Sequence, residues 1–136
     1  MALLDVNALI ALVWDTHVHH EAAAAWFDKR GAPWATCPVS EAGFVRVSSN
    51  PKALPGALSV EQARSVLRDL RRIGDHRFLI NDVSLTDTDA PPITGHRQVT
   101  DALLLTVARR AGVPLVTFDA ALAALAGGNG VELLLR

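Results

Sequence analysis

With 136 residues, half of them apolar, the chain has material for one hydrophobic core and too little for two, so a single domain over 1–136 is expected. The net charge of −1 excludes a strongly basic nucleic-acid binder; eleven of the thirteen basic residues are arginines, eight of them gathered at 64, 68, 71, 72, 77, 97, 109 and 110, so any basic face is local. A lone Cys37 excludes an internal disulfide, no apolar run reaches membrane-span length, and no basic stretch precedes an apolar one at the N-terminus, so a cytoplasmic location is expected.

Short apolar runs alternate with helix-periodic segments, which predicts an α/β layer fold with a mostly parallel sheet of four to five strands. A strand over residues 2–5 leads into a helix over 7–14 and a second helix over 17–30 that ends at Gly31. A strand at 34–36 is followed by Pro38, suited to a first helical position, and a helix to about Ser49. The pairs Asn50-Pro51 and Pro55-Gly56 break the chain into a loop. Ser59 caps a helix reaching about Ile73, with Val60, Ala63, Leu67 and Leu70 at helical spacing and Arg64, Arg68, Arg71 and Arg72 on a flanking stripe. A strand over 77–80, an acidic loop through Thr94 and a helix over 98–110 closed by Gly112 come next. The chain finishes with a strand over 113–118, a short helix to Leu125, a glycine-rich turn and an edge strand over 131–134.

Placed on this map, the acids show a pattern. Asp5 falls at the carboxyl end of the first strand, Asp119 just past the fourth, Asp101 in the opening turn of a helix and Glu41 in the first turn after Pro38. In open parallel sheets the carboxyl ends of strands and the following helix N-termini form the ligand-binding edge, so these four can converge. Each of Glu41, Asp101 and Asp119 also has an ordinary use as a cap or a first-turn acid. Asp5 is harder to dismiss, because it ends an apolar central strand where aspartate is disfavoured and costly to bury. Convergence would raise some of the carboxyl pKa values unless a hard divalent cation were present, and Mg²⁺ favours such oxygen ligands.

The segments Leu4-Asp5-Val6-Asn7-Ala8-Leu9-Ile10, Pro38-Val39-Ser40-Glu41-Ala42-Gly43-Phe44-Val45-Arg46-Val47, Val99-Thr100-Asp101-Ala102 and Thr117-Phe118-Asp119 resemble, in order and spacing, the four acidic motifs of PIN-domain ribonucleases of the VapC toxin type. The resemblance implies a three-layer α/β/α domain in which Asp5, Glu41, Asp101 and Asp119 hold Mg²⁺ or Mn²⁺, Asn7 orients the first acid and Thr117 supports the last. It further implies endoribonuclease activity by metal-activated water, leaving a 5′-phosphate and a 3′-hydroxyl. The partners it implies are RNA, a cognate VapB-type antitoxin that blocks the acids, and a second copy of the chain in a homodimer.

Other residues have weaker readings. His96 and Arg97, just before Asp101, and Arg64 and Arg68 on the arginine stripe are candidates for contact with RNA phosphates. His17, His19 and His20 suggest a transition-metal site, but no complete ligand set accompanies them and a solvated helix start is expected. Trp14, Trp26 and Trp34 are expected as core or interface anchors rather than base-stacking platforms. Asp82, Asp87 and Asp89 are expected as solvated turn residues. A receiver domain would need a late lysine, and none follows Lys52; a haloacid-dehalogenase-like phosphatase would need an aspartate where Asn7 stands. The remaining alternative is a catalytically silent module of the same shape that binds RNA or a protein.

Overall fold

The computed structural model describes residues 1–30, 32–80, 82–87, 90–93 and 95–134. Gly31, Asp89 and Thr94 lie outside the described residues. In chain order the elements are β1 (Ala2–Leu4), α1 (Val6–Val13), α2 (His20–Lys29), β2 (Trp34–Thr36), α3 (Pro38–Ser48), α4 (Val60–Leu70), β3 (His76–Phe78), a 3₁₀ turn (His96–Gln98), α5 (Val99–Ala111), β4 (Leu115–Thr117), α6 (Ala120–Leu125) and β5 (Val131–Leu133).

The five strands form one sheet in the order β3-β2-β1-β4-β5, every pairing parallel. Strand alternation divides the core into two layers. Ala2, Leu4, Trp34 and Val116 face a cluster with Ala8, Leu9, Phe44, Leu67 and Leu70 from α1, α3 and α4. Leu3, Ala35 and Leu115 face the opposite cluster with Leu104, Leu105, Ala108 and Leu122 from α5 and α6. This is the parallel α/β layering expected from the alternating pattern, in the three-layer α/β/α form that the family resemblance implied. Such strands, covered on both faces, are continuous apolar runs, as Ala2-Leu3-Leu4 is.

Local chemistry sets the helix starts. Ser59 and Gln62 cap α4 reciprocally: the Gln62 amide N–H donates to the Ser59 hydroxyl at 3.0 Å, and the Ser59 N–H donates to Gln62 Oε1 at 2.9 Å. Pro38 opens α3. Gly112, in the left-handed region at φ +71°, ends α5. Gly43 has a packing role: a Cβ there would collide with a methyl of Val6, so only glycine lets α3 lie this close to the start of α1.

Several expected bounds shift: α4 ends at Leu70 rather than near Ile73, and β4 is Leu115–Thr117 rather than 113–118. The second helix begins at His20 rather than at residue 17, because Trp14 to His19 form turns in which the His19 N–H donates to His17 Nδ1 at 3.0 Å. The third strand is His76–Phe78 rather than 77–80, since its register follows the three residues of β2, Trp34 opposite His76 and Thr36 opposite Phe78. The tryptophans are anchors, as expected. Trp34 is buried and donates to the Ile73 carbonyl at 2.9 Å, Trp14 donates to Ser48 at 3.2 Å, and Trp26 donates to Glu132 at 2.7 Å.

Candidate functional site at the carboxyl edge of the sheet

β1 is the central strand, and its carboxyl end delivers Asp5, only 3 % exposed, between the ends of β2 and β4. Asp5 caps α1: its Oδ1 accepts the Ala8 N–H at 2.7 Å. Its Oδ2 accepts the hydroxyl of Thr117, the last residue of β4, at 2.5 Å. The same Thr117 oxygen accepts the backbone N–H of Asp119 at 3.0 Å, and Asp119 caps α6 by accepting the Ala121 N–H at 2.8 Å. One fully buried hydroxyl therefore couples the positions of two acids from opposite ends of the chain.

Asp101, in the first turn of α5, is the third member of this group. Burial pushes the Asp5 carboxyl up to about 6; the hydrogen bonds from Thr117 and Ala8 oppose that rise, and the charges of Asp101 and Asp119 add to it. Asp101 is also raised, by burial first and by Asp119 second. Asp101 and Asp119 thus act on Asp5 through their charges, and Asp119 on Asp101, the kind of repulsion expected of converging acids.

Glu41 belongs to a neighbouring network. Its carboxylate accepts the hydroxyl of Thr36 at 2.6 Å and pairs with Arg71 at 3.3 Å. His76 Nε2 stands 2.8 Å from the same Thr36 oxygen; with the hydroxyl proton given to Glu41, the ring is the donor. Burial, and secondarily Arg71, lowers His76 to about 4, which keeps the ring neutral. Thr36 ends β2 as Thr117 ends β4, so each neighbour of β1 presents a threonine hydroxyl to an acid. Sequence reasoning missed the roles of Thr36, His76 and Arg71 here. A threonine closing each strand that flanks β1 was the available signal.

Asn7 is exposed and lies beside Asp119, His17 and His19, while the hydrogen bonds that orient Asp5 come from Ala8 and Thr117. Arg64 and Arg68 are exposed on α4 and line, with Glu41, Arg71 and Arg72, a cleft of about 430 Å³. Arg64 also pairs with Glu61 at 3.1 Å. His96 and Arg97 are exposed in the 3₁₀ turn that precedes α5 and Asp101. Asp82 is exposed, and Asp87 fastens its loop by accepting the Ser84 N–H and pairing with Arg110 at 2.8 Å.

The histidines depart from the expected solvated helix start. His17, His19 and His20 are all partly buried; His20 donates to the Ala11 carbonyl at 2.8 Å and His19 stacks on Phe118. Among the described residues no three His, Cys, Asp or Glu side chains stand close enough to enclose a metal ion. A hard ion such as Mg²⁺ does not require that closure, because it keeps several waters and binds through one or two carboxylates. The oxygen-only set of Asp5, Asp101 and Asp119, with two of its members raised by crowding and burial, fits such an ion chemically.

A parallel sheet in this order, with acids gathered where its strands end, defines an α/β protein whose site lies at the carboxyl edge of the sheet. The PIN domain family model matches residues 2–128, and the chain belongs to that family. Its relatives include Ribonuclease VapC38 of Mycobacterium tuberculosis, 62% identical over 93% of this chain and 90% of that protein. Ribonuclease VapC39 of the same organism is 44% identical over 98% of this chain and 99% of its own length. Ribonuclease VapC29 is 38% identical over 95% and 93%.

Proposed function

We propose that this chain is the toxin endoribonuclease of a VapBC-type toxin–antitoxin pair, a single domain over 1–136 that works in the cytoplasm and depends on Mg²⁺ or Mn²⁺. The observation that carries the reading is the group formed by Asp5, Asp101 and Asp119, two of them pushed up by burial and mutual repulsion, in a chain whose relatives are ribonucleases. Asp5, Asp101 and Asp119 would hold the ion, one or two of them directly and the rest through its waters, with Glu41 at the neighbouring position able to join on leaving Arg71. When bound, the ion lowers the pKa of a water and offsets charge on the phosphodiester.

The chain's own residues do the rest. Thr117 and the Ala8 amide hold the Asp5 carboxylate in one orientation, so that no reorganisation is needed when substrate arrives. Thr117 also fixes the backbone from which Asp119 projects. His96, Arg97, Arg64 and Arg68 would contact the RNA backbone, Arg64 and Arg68 from the α4 cleft. Asn7, exposed beside Asp119, would face the substrate. A VapB-type antitoxin would cover the acids, and a second copy of the chain would complete a homodimer.

The test is cleavage of total bacterial RNA by the purified chain with Mg²⁺ or Mn²⁺, with EDTA, and with Asp5→Asn. Discrete cuts bearing 5′-phosphates, lost in EDTA and in the variant, are expected. A folded, metal-binding but inert wild type would instead make the chain a silent module that binds RNA or a protein.

A further inference from the structure

A pocket of about 320 Å³ opens beside the acids, lined by Asn7, His17, Val18, His19, Phe118 and Asp119. That volume is at the small end of ligand pockets, which run from roughly 300 to 1,000 Å³. We propose that this pocket receives one nucleobase of the RNA, flanking the phosphodiester to be cut, and so sets the base preference of the enzyme. The inference rests on the ribonuclease reading above.

Three observations carry it. The wall is aromatic: the rings of His19 and Phe118 lie parallel, 3° apart in plane and 4.5 Å between centroids, beside Val18, which is 71 % exposed. Flat, largely apolar walls of this kind accept the face of a base, and single-stranded RNA is read by splaying bases against Phe and His rings. The polar atoms are placed for an edge. Because the His19 amide donates to His17 Nδ1, the neutral His17 ring carries its proton on Nε2 and offers a donor, while Asn7 offers both a donor and an acceptor. His19, whose ring forms this wall, has its Nδ1 buried with no hydrogen-bond partner among the described residues.

The chemistry favours a base over a phosphate. Burial, then the neighbouring His19 and His20, lowers the His17 pKa, so the ring stays uncharged near neutrality. A neutral planar ring fits walls of this kind. The position fits as well, since Asp119 lines this pocket and acts electrostatically on Asp5 and Asp101. A base seated here leaves its own phosphate near the acids.

The experiment maps the cut ends of a sequence-randomised RNA pool treated with the wild-type chain, His17→Ala and His17→Asn. His17→Asn keeps an acceptor for the His19 amide while removing Nε2, which separates lost recognition from a disturbed turn. The wild type is expected to prefer one base beside the cut, and both variants to flatten that preference about fivefold, the worth of one hydrogen bond. In parallel, Asp5→Asn protein is titrated with each of the four nucleoside 5′-monophosphates while the ring resonances of His17 and His19 are followed; a base-dependent shift is expected. Cleavage whose base preference survives in both variants overturns the pocket and leaves the ribonuclease reading standing. If the wild type cuts no RNA, the ribonuclease reading falls and the titration decides the pocket alone: base-dependent shifts support it, and their absence overturns it.

Discussion

The hydroxyl of Thr117 donates to Oδ2 of Asp5 at 2.5 Å, joining residues 112 positions apart at the carboxyl edge of the sheet. Both are buried, and the same oxygen accepts the Asp119 amide, so one side chain sets the relative placement of the first and last acids. Thr117→Val keeps the shape and removes both interactions. It is expected to lower divalent-ion affinity or nuclease activity by about 10–100-fold, the usual effect of losing a group that orients a ligand. Thr117→Ser, which keeps the hydroxyl, is expected to retain most of both; equal losses in the two variants would sink the positioning role.

Asp5 also makes stability depend on pH. With its pKa raised to about 6, the folded protein holds a proton on Asp5 that the unfolded chain has released at lower pH. Stability is therefore lost as pH rises through the window from about 4 to about 6, by an amount on the order of 3 kcal/mol. Without divalent ions, denaturant unfolding is expected to show Asp5→Asn gaining on the wild type across this window and exceeding it at pH 7. A difference that stays constant from pH 4 to pH 7 would contradict the raised value.

Divalent ions should act in the opposite sense. An ion that binds only the folded state raises its stability by mass action, so millimolar Mg²⁺ or Mn²⁺ is expected to raise the melting temperature of the wild type at pH 7. Asp101→Asn is expected to reduce that increment sharply. An unchanged increment would place the ion elsewhere.

Glu41 is engaged by Thr36 and Arg71, whereas Asp101 faces the other acids. Glu41→Gln is thus expected to cost less activity than Asp101→Asn: about tenfold, against about 10²–10³-fold for a group at the reacting centre. Matched initial rates on one RNA decide it, and a reversed order would show that Glu41 leaves Arg71 and joins the acids during turnover. Arg71→Ala, which removes a pair with a partly exposed arginine, is expected to change stability by no more than about 1 kcal/mol.

Gly43 tests the architecture behind the site. A Cβ there collides with Val6, next to Asp5, and pushes apart α1 and the helix bearing Glu41. Gly43→Ala is expected to destabilise by about 1–3 kcal/mol, as overpacking does, measured by denaturant unfolding. A neutral substitution would show that the helices have slack.

The sequence by itself determined the alternating α/β layers and the strand-end or first-turn positions of four acids, Glu41 included. Strands covered on both faces must be apolar runs, and helices must carry periodic stripes and capping residues, so β1, α4 and α5 were legible locally, and with them the strand-end or first-turn positions of Asp5, Asp119 and Asp101. Where register with a partner strand or a turn set the boundary, as for β3 and the start of α2, local pattern was displaced by a few residues. Tertiary structure decided who touches whom. That Glu41 turns to Arg71 and Thr36, that Thr117 rather than Asn7 grips Asp5, and that His19 leaves the solvent to stack on Phe118 all follow from the strand order β3-β2-β1-β4-β5. Side-chain contacts between residues distant in the chain depend on that ordering and on packing, and no local propensity encodes them.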